Sequence, residues 1–236
     1  MGMNTTQDNP VAAAKRAGRN ALDESAGKQL LAAHGVKVPQ SRVAKGVADV
    51  DAVMNGLQTP VVVKVMSPDI LHKSDAGGVK INLRSATEVK AAIEGMLNSP
   101  KIKGARIEGF LVEEMAPAGH ELVIGGLRDP QFGPLVMVGL GGIFVEILKD
   151  VSFRLCPITR IDAEEMIAEL KGAAILKGAR GTKPASMDAI INVLLKVGGE
   201  NGLLMQHAAD ISEADINPLI VSDTAAVAVD ARFILG

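Results

Sequence analysis

Tryptophan and tyrosine are absent, and the aromatic content is five phenylalanines, 2% of the chain. Flat side chains for stacking bases are therefore scarce, which argues against a single-stranded nucleic acid as ligand. Cys156 is the one cysteine, so an internal disulfide and a cysteine-cluster metal site are excluded. That usage points to a reducing, cytoplasmic compartment. No apolar run reaches the ~20 residues of a membrane span, and the start of the chain lacks the apolar core of a signal peptide. There is no excess of positive charge: 25 lysines and arginines stand against 27 acids, leaving −2. Non-specific nucleic-acid binding has no electrostatic basis in such a chain. What is present is a core: 47% of the 236 residues are hydrophobic, enough for one large domain or two compact lobes.

Strand-like and helix-like segments alternate without a βαβ rhythm. The pattern predicts an α+β fold in which mixed or antiparallel sheets carry helices, divided into two lobes. Residues 1–20 read as a flexible tail, 21–115 as a small lobe and 116–236 as a large lobe, with the hinge at 113–117. Asp23 or Ser25 caps a helix that Gly35 closes, and Thr87 is expected to cap another. The β-branched run Pro60–Val65 predicts a buried strand, and Val79–Leu83 another. The chain ends in a hairpin, Ala214–Val221 and Ala225–Phe233.

Three stretches can carry chemistry. Lys64 interrupts an apolar run, and a buried ammonium needs an anion or a carboxylate. The alternative is an edge strand from which Lys64 snorkels to water. A polar, glycine-ended loop follows, with Lys73, Ser74, Gly77 and Gly78, and with His72 beside them. Its lysines and backbone N–H groups suit a polyphosphate, and a neutral imidazole is a nucleophile available at pH 7. In the terminal hairpin, Asp215 and Asn217 share a strand face. An even-numbered turn at Asp223-Thr224 puts Asn217 opposite Asp230, with Leu219, Val221, Ala226 and Ala228 expected on that same face. Carboxylate and amide oxygens with open positions suit Mg²⁺; a hairpin whose polar residues merely reach water is the alternative. The third stretch, Gly139–Gly142, reads as an anion site at a helix start, as a tight strand-to-helix turn, or as both.

Several segments together carry a resemblance: Val-Val-Val-Lys-Val at 61–65, Leu-His-Lys-Ser-Asp-Ala-Gly-Gly-Val at 71–79 and Leu-Val-Glu-Glu-Met-Ala at 111–116. Asp129–Glu146, Leu-Lys-Gly-Ala-Arg-Gly at 176–181 and Asp-Ile-Asn-Pro-Leu at 215–219 complete the set. In this order they resemble the ATP-grasp subunit of the NDP-forming acyl-CoA synthetases, the ADP-forming acetate–CoA ligase β subunits among them, from about Leu22 to Phe233. The resemblance implies an ATP-grasp fold that binds ATP or ADP with Mg²⁺. It implies Lys64 on the α/β phosphates and the loop with Lys73, Ser74, Gly77 and Gly78 over them. Glu114, Met115 and Ala116 would read the adenine edge, with Glu113 and Glu121 as polar neighbours. Asn217 and Asp230 would hold magnesium, with Asp215 a weaker third. His72 would receive phosphate and pass it to ADP; Glu146 and Arg180 are assigned to the phosphate end. No CoA-binding half is evident, so a CoA-binding α-type subunit or domain is implied, in a hetero-oligomer without nucleic acid or membrane. A non-catalytic nucleotide-binding regulatory module and another ATP-grasp carboxylate ligase are the competing functions.

Overall fold

The computed structural model describes residues 9–70, 73–178 and 183–236, without the side chains of Ile143 and Glu146. In chain order, α1 is Pro10–Arg16, α2 Glu24–Ala33, β1 Ser41–Ala44, α3 Val50–Met54, β2 Val61–Met66, β3 Val79–Leu83, α4 Ala86–Asn98 and β4 Gly109–Glu114. There follow β5 His120–Asp129, β6 Gly133–Leu140, α5 Ile143–Glu146, β7 Val151–Leu155, α6 Arg160–Ala168, α7 Ala173–Leu176, α8 Met187–Gly198 and α9 Leu203–Gln206. The chain closes with β8 Ile211–Val221, β9 Ala226–Ala228 and β10 Ala231–Leu235.

These elements form two compact units. Pro39–Ala116 is one; Pro117–Gly236 joins the segment ending at Val38 to make the other. The boundary at Ala116/Pro117 falls inside the expected hinge. The division on the other side differs from the expected one. Residues 9–38 belong with the C-terminal portion, neither as a tail nor in the small lobe. The reason is apolar spacing. Val11 and Ala14 lie on one face of α1 and are buried, and the Asn9 side chain caps that helix by accepting from Val11 N at 3.0 Å. Leu30 and Leu31 of α2, capped by Asp23 as expected, enter the same core as Phe233 of β10.

The smaller unit is a four-stranded antiparallel sheet in the order β1-β4-β2-β3. Alternation on its strands sends Val61, Val63, Val65, Phe110 and Val112 into a core with Val50 and Val53 of α3 and Val89, Ile93 and Met96 of α4. Val62, Lys64, Leu111 and Glu113 therefore point to the opposite face. The cap of α4 is Ser85, not Thr87: its hydroxyl accepts from Glu88 N at 3.2 Å.

The larger unit is a six-stranded sheet in the order β10-β8-β5-β6-β7, with β9 also paired to β8. One face packs Leu122, Ile124, Val136 and Val138 against α6 and α8. Burial of α8 is extensive, with Ile190, Ile191, Leu194 and Val197 all in this core.

Candidate nucleotide-phosphate site

Lys64 sits on β2, between β4 and β3, so the edge-strand reading does not apply. It is 6% exposed, too little for an ammonium that snorkels to water. Its Nζ lies 2.6 Å from Oε1 of the fully buried Glu113, one diagonal step away on β4. A counter-ion at this distance meets the need that burial creates.

Strand β2 leads into the glycine-ended loop. Leu71 and His72 lie outside the described residues; Lys73 to Gly78 are described. The two glycines have definite tasks here. Gly77, at φ +75°, donates its N–H to the Ser74 carbonyl at 3.0 Å, and Gly78 donates to the Lys73 carbonyl at 2.7 Å. Those N–H groups are engaged inside the loop, a correction to the expectation that they face phosphate. Gly78 is also a close approach: a Cβ there would stand 2.4 Å from Val65 Cγ1. Ser74 is exposed and Lys73 half-buried.

At the end of β4, Glu114 and Met115 donate their backbone N–H groups to the carbonyls of Gln40 and Pro60, at 3.0 and 3.2 Å. The Glu114 carboxylate accepts from Gln58 N at 2.8 Å. These bonds continue the pairing of the interior strand β4 with its two neighbours as far as Met115.

In the larger unit, Glu121 is exposed on β5. Its carbonyl accepts from Gly141 N at 2.7 Å, and a Cβ on Gly141 would meet the Glu121 Cβ at 2.9 Å. A cavity of about 150 Å³ adjoins, lined by His120, Glu121, Leu140, Gly141, Phe144 and Ile175. That volume suits part of a ligand rather than a whole nucleotide. Gly142, at φ +61°, makes the turn into the four-residue α5, so the Gly139–Gly142 stretch contains a tight strand-to-helix turn.

The terminal hairpin has the expected register. Ile216 pairs with Ala231 and Leu219 with Ala228, and Asn217 N–H donates to the Asp230 carbonyl at 3.2 Å. The faces differ from the expectation. Against β5 the register shifts between Leu122 and Ile124, so Asn217 and Pro218 stand across from one residue. The phase of burial flips there: Ala214 and Ile216 face the core before the shift, Leu219 and Val221 after it. Asp215, Asn217 and Asp230 thus lie on the face opposite that apolar set, beside Arg232, which pairs with Asp215.

Burial first, then the negative charges of Asp230 and Glu213, push the Asp215 carboxyl above the ordinary carboxylate range, while Arg232 pulls it back. Crowded carboxylates beside an amide oxygen fit a hard dication. Among the described residues no three His, Cys, Asp or Glu side chains gather closely enough to enclose a metal ion. The set fits an ion such as Mg²⁺ that keeps waters and takes further oxygens from phosphate. Cys156 is no rival nucleophile, because burial pushes its thiol up to about 12.

Sequence reasoning missed three buried polar groups. Lys28 and Glu24 form an ion pair of 2.9 Å on α2, visible as i, i+4 spacing. Asp150 accepts from the backbone N–H groups of Lys171 and Gly172, both at 2.8 Å, across 21 and 22 residues with no local signal. Glu146 and Arg180 are not placed: the Glu146 side chain and residue 180 lie outside the description.

The two-unit α+β architecture, with an interior lysine on one sheet and Asp215, Asn217 and Asp230 off the core face of the other, fits the ATP-grasp class of nucleotide-phosphate-handling proteins. The family model described as "ATP-grasp domain" matches residues 13–235. The β subunit of ADP-forming acetate–CoA ligase I from Pyrococcus furiosus is 46% identical over 216 residues, 91% of each chain. The Archaeoglobus fulgidus ADP-forming acetate–CoA ligase I is 45% identical over 211 residues; these are 89% of this chain but 30% of that longer one. Among solved structures, an acetyl-coenzyme A synthetase from Ca. Korarchaeum cryptofilum superposes with TM-score 0.79 at 41% identity, covering 95% of this chain and 97% of that one. It holds coenzyme A and Mg-AMPPCP, with its phosphohistidine segment pointing towards the nucleotide binding site. The chain belongs to the ATP-grasp family, within the β subunits of ADP-forming acid–CoA ligases.

Proposed function

We propose that this chain binds ATP or ADP with Mg²⁺ and moves a phosphoryl group between His72 and the nucleotide, as the nucleotide half of an ADP-forming acid–CoA ligase. The overall reaction is acid + CoA + ATP ⇌ acyl-CoA + ADP + phosphate. The observation that carries the reading is the outward set of Asp215, Asn217 and Asp230, on a chain whose other sheet holds Lys64 on the strand leading to the His72 loop.

In the ATP-forming direction, a β-phosphate oxygen of ADP attacks the phosphorus carried by His72. The P–N bond breaks as the new P–O bond forms, and the imidazole leaves with the electron pair, which a proton then neutralises. Lys64 and Lys73 bind and orient the phosphate oxygens, and the Lys64 ammonium meets charge that grows on them. Glu121 and the Glu114–Ala116 backbone sit on the base and ribose side. Asn217 and Asp230, with Asp215 beside them, would hold the magnesium, which when bound disperses the negative charge of the transferring phosphoryl group. The acid and CoA are handled by a separate α-type subunit, in a cytoplasmic hetero-oligomer. The fused relatives support this, because this chain matches only 30% of their length.

Incubating the chain with Mg²⁺ and γ-labelled ATP tests the reading. Acid-labile, base-stable label on the protein is the expected outcome, as for a phosphohistidine. Tight Mg·ATP binding with no label on a correctly folded chain would instead favour a non-catalytic module.

A further inference from the structure

One segment of the smaller unit, 99–108, which links α4 to β4, holds the loop on both sides of His72. Before His72, the Asp69 carboxylate accepts from Arg106 N at 2.7 Å, and the Asp69 N–H donates to the Ser67 hydroxyl at 3.1 Å. Ile70, next in the chain, is buried in the core shared with α3 and α4. After His72, Lys101 Nζ donates to the Asp75 carbonyl at 2.8 Å. These two contacts span 37 and 26 residues, so each fixes the loop against a support rather than against itself. The support is firm. Ile102 is 1% exposed in that same core, the N–H groups of Ile102 and Lys103 donate to the Ser99 carbonyl at 3.0 and 2.8 Å, and Glu108 N–H donates to the Met66 carbonyl at 2.8 Å. Asp69 and Lys101 themselves are exposed and close no core, so folding draws little on them.

We infer that Asp69 and Lys101 are positioning residues for the proposed phosphoryl transfer: they set the two sides of the His72 loop on one support and touch neither nucleotide nor phosphate. The inference rests on the functional reading above and adds to it the residues that align the carrier. Backbone geometry transmits the hold of Lys101. Gly77 N–H takes the Ser74 carbonyl, Gly78 N–H takes the Lys73 carbonyl, and the Gly78 carbonyl accepts from Val65 N at 2.8 Å, so Lys73 to Gly78 is a closed turn tied to β2. Lys101 pins that turn at its middle, and Asp69 pins the chain where it leaves β2. Transfer between an imidazole and a phosphate oxygen needs the reacting atoms in line, and a misplacement of about 1 Å can cost about a hundredfold in rate. Freeing either side of the loop therefore slows transfer, while the groups that bind the nucleotide stay where they are.

The test compares full-length variants by the single-turnover rate of label uptake from γ-labelled ATP with Mg²⁺, by Mg·ADP affinity in calorimetry, and by hydrogen exchange of the Gly77 and Gly78 amides. Lys101→Met and Asp69→Ala are each expected to slow uptake about tenfold or more, with Mg·ADP affinity unchanged. Lys101→Met should also speed exchange of the two glycine amides. Lys101→Arg keeps a cationic donor of similar reach and is expected to restore both the rate and the protection. Uptake at the parent rate in Lys101→Met and Asp69→Ala overturns the inference. So does a rate loss matched by a loss of Mg·ADP affinity, which would put these side chains on the nucleotide, or a rate loss in Lys101→Met that Lys101→Arg shares. Should Asp69→Ala not fold, Lys101→Met against Lys101→Arg decides by the same outcomes. A parent chain that takes up no label overturns the functional reading and the inference with it; a parent that labels while both variants match it overturns the inference alone.

Discussion

At the residue scale, position within a sheet decides what a charged side chain can do. Lys64 and Lys80 are both strand lysines, yet Lys80 is exposed while Lys64 is enclosed and paired with Glu113. The terminal hairpin makes the same point with oxygens. Asp230 lies opposite Asn217 and close enough to Asp215 to raise its carboxyl. Asp230→Ala is expected to weaken Mg·ADP by about tenfold or more, through loss of a carboxylate proposed to hold the cation, and to leave metal-free adenosine binding unchanged. Titration calorimetry with and without Mg²⁺ checks it; equal Mg·ADP affinity would remove Asp230 from the metal set. Gly78 is a point of close approach in the glycine-ended loop. Gly78→Ala drives a methyl group against the stiff, fully buried Val65. A loss of about 1–3 kcal/mol in urea denaturation is the expected cost.

At the element scale, most strands and long helices were legible because their burial periods are clean. The run Pro60–Val65 reads as it folds, its β-branched residues continuous as a buried strand requires. Short elements were not legible. α7 and α9 have four residues each, less than the repeat needed to show a period, and α1 was hidden by its polar and alanine-rich composition. Within β8 the alternation predicted one face from Asp215 to Val221, and the register shift at Asn217–Pro218 breaks that phase. Nothing local in the sequence announces where a partner strand has one residue fewer. Edge strand β7 is tied to the end of α6 by Glu169, which accepts from Arg154 at 2.5 Å and from the Ser152 hydroxyl at 2.5 Å. The Arg154 hydrogen bond, then Ser152, holds the Glu169 carboxyl down at about 2, against an ordinary 4.5. A depressed carboxylate stabilises the fold above its ordinary value and loses that effect as pH falls through about 2. Glu169→Gln is therefore expected to melt at a lower temperature than the parent at pH 7, by a small margin for so exposed a group. The gap should narrow below the ordinary carboxylate range and close near pH 2, as followed by circular dichroism.

At the scale of the whole molecule, the candidate residues are divided between the two compact units. Lys64 and Glu113 belong to one unit and Glu121, Asn217 and Asp230 to the other. Motif order made this set legible where composition could not, because each segment alone is short and ordinary. The segment ending at Val38 shows the converse: chain order suggested that it joins the strands that follow, and its apolar contacts place it with the distant C-terminal strands. Leu22 N–H donates to the Phe233 carbonyl at 3.0 Å, closing that long-range join.

The central claim is that His72 carries phosphate to and from the nucleotide. A pulse and chase tests it most directly. The chain is labelled with γ-labelled ATP and Mg²⁺, freed of nucleotide and given Mg·ADP. Labelled ATP should form as the protein loses its label, and His72→Ala, still binding Mg·ADP, should neither take up label nor return it. Label acquired and returned by His72→Ala as by the parent chain would contradict the account.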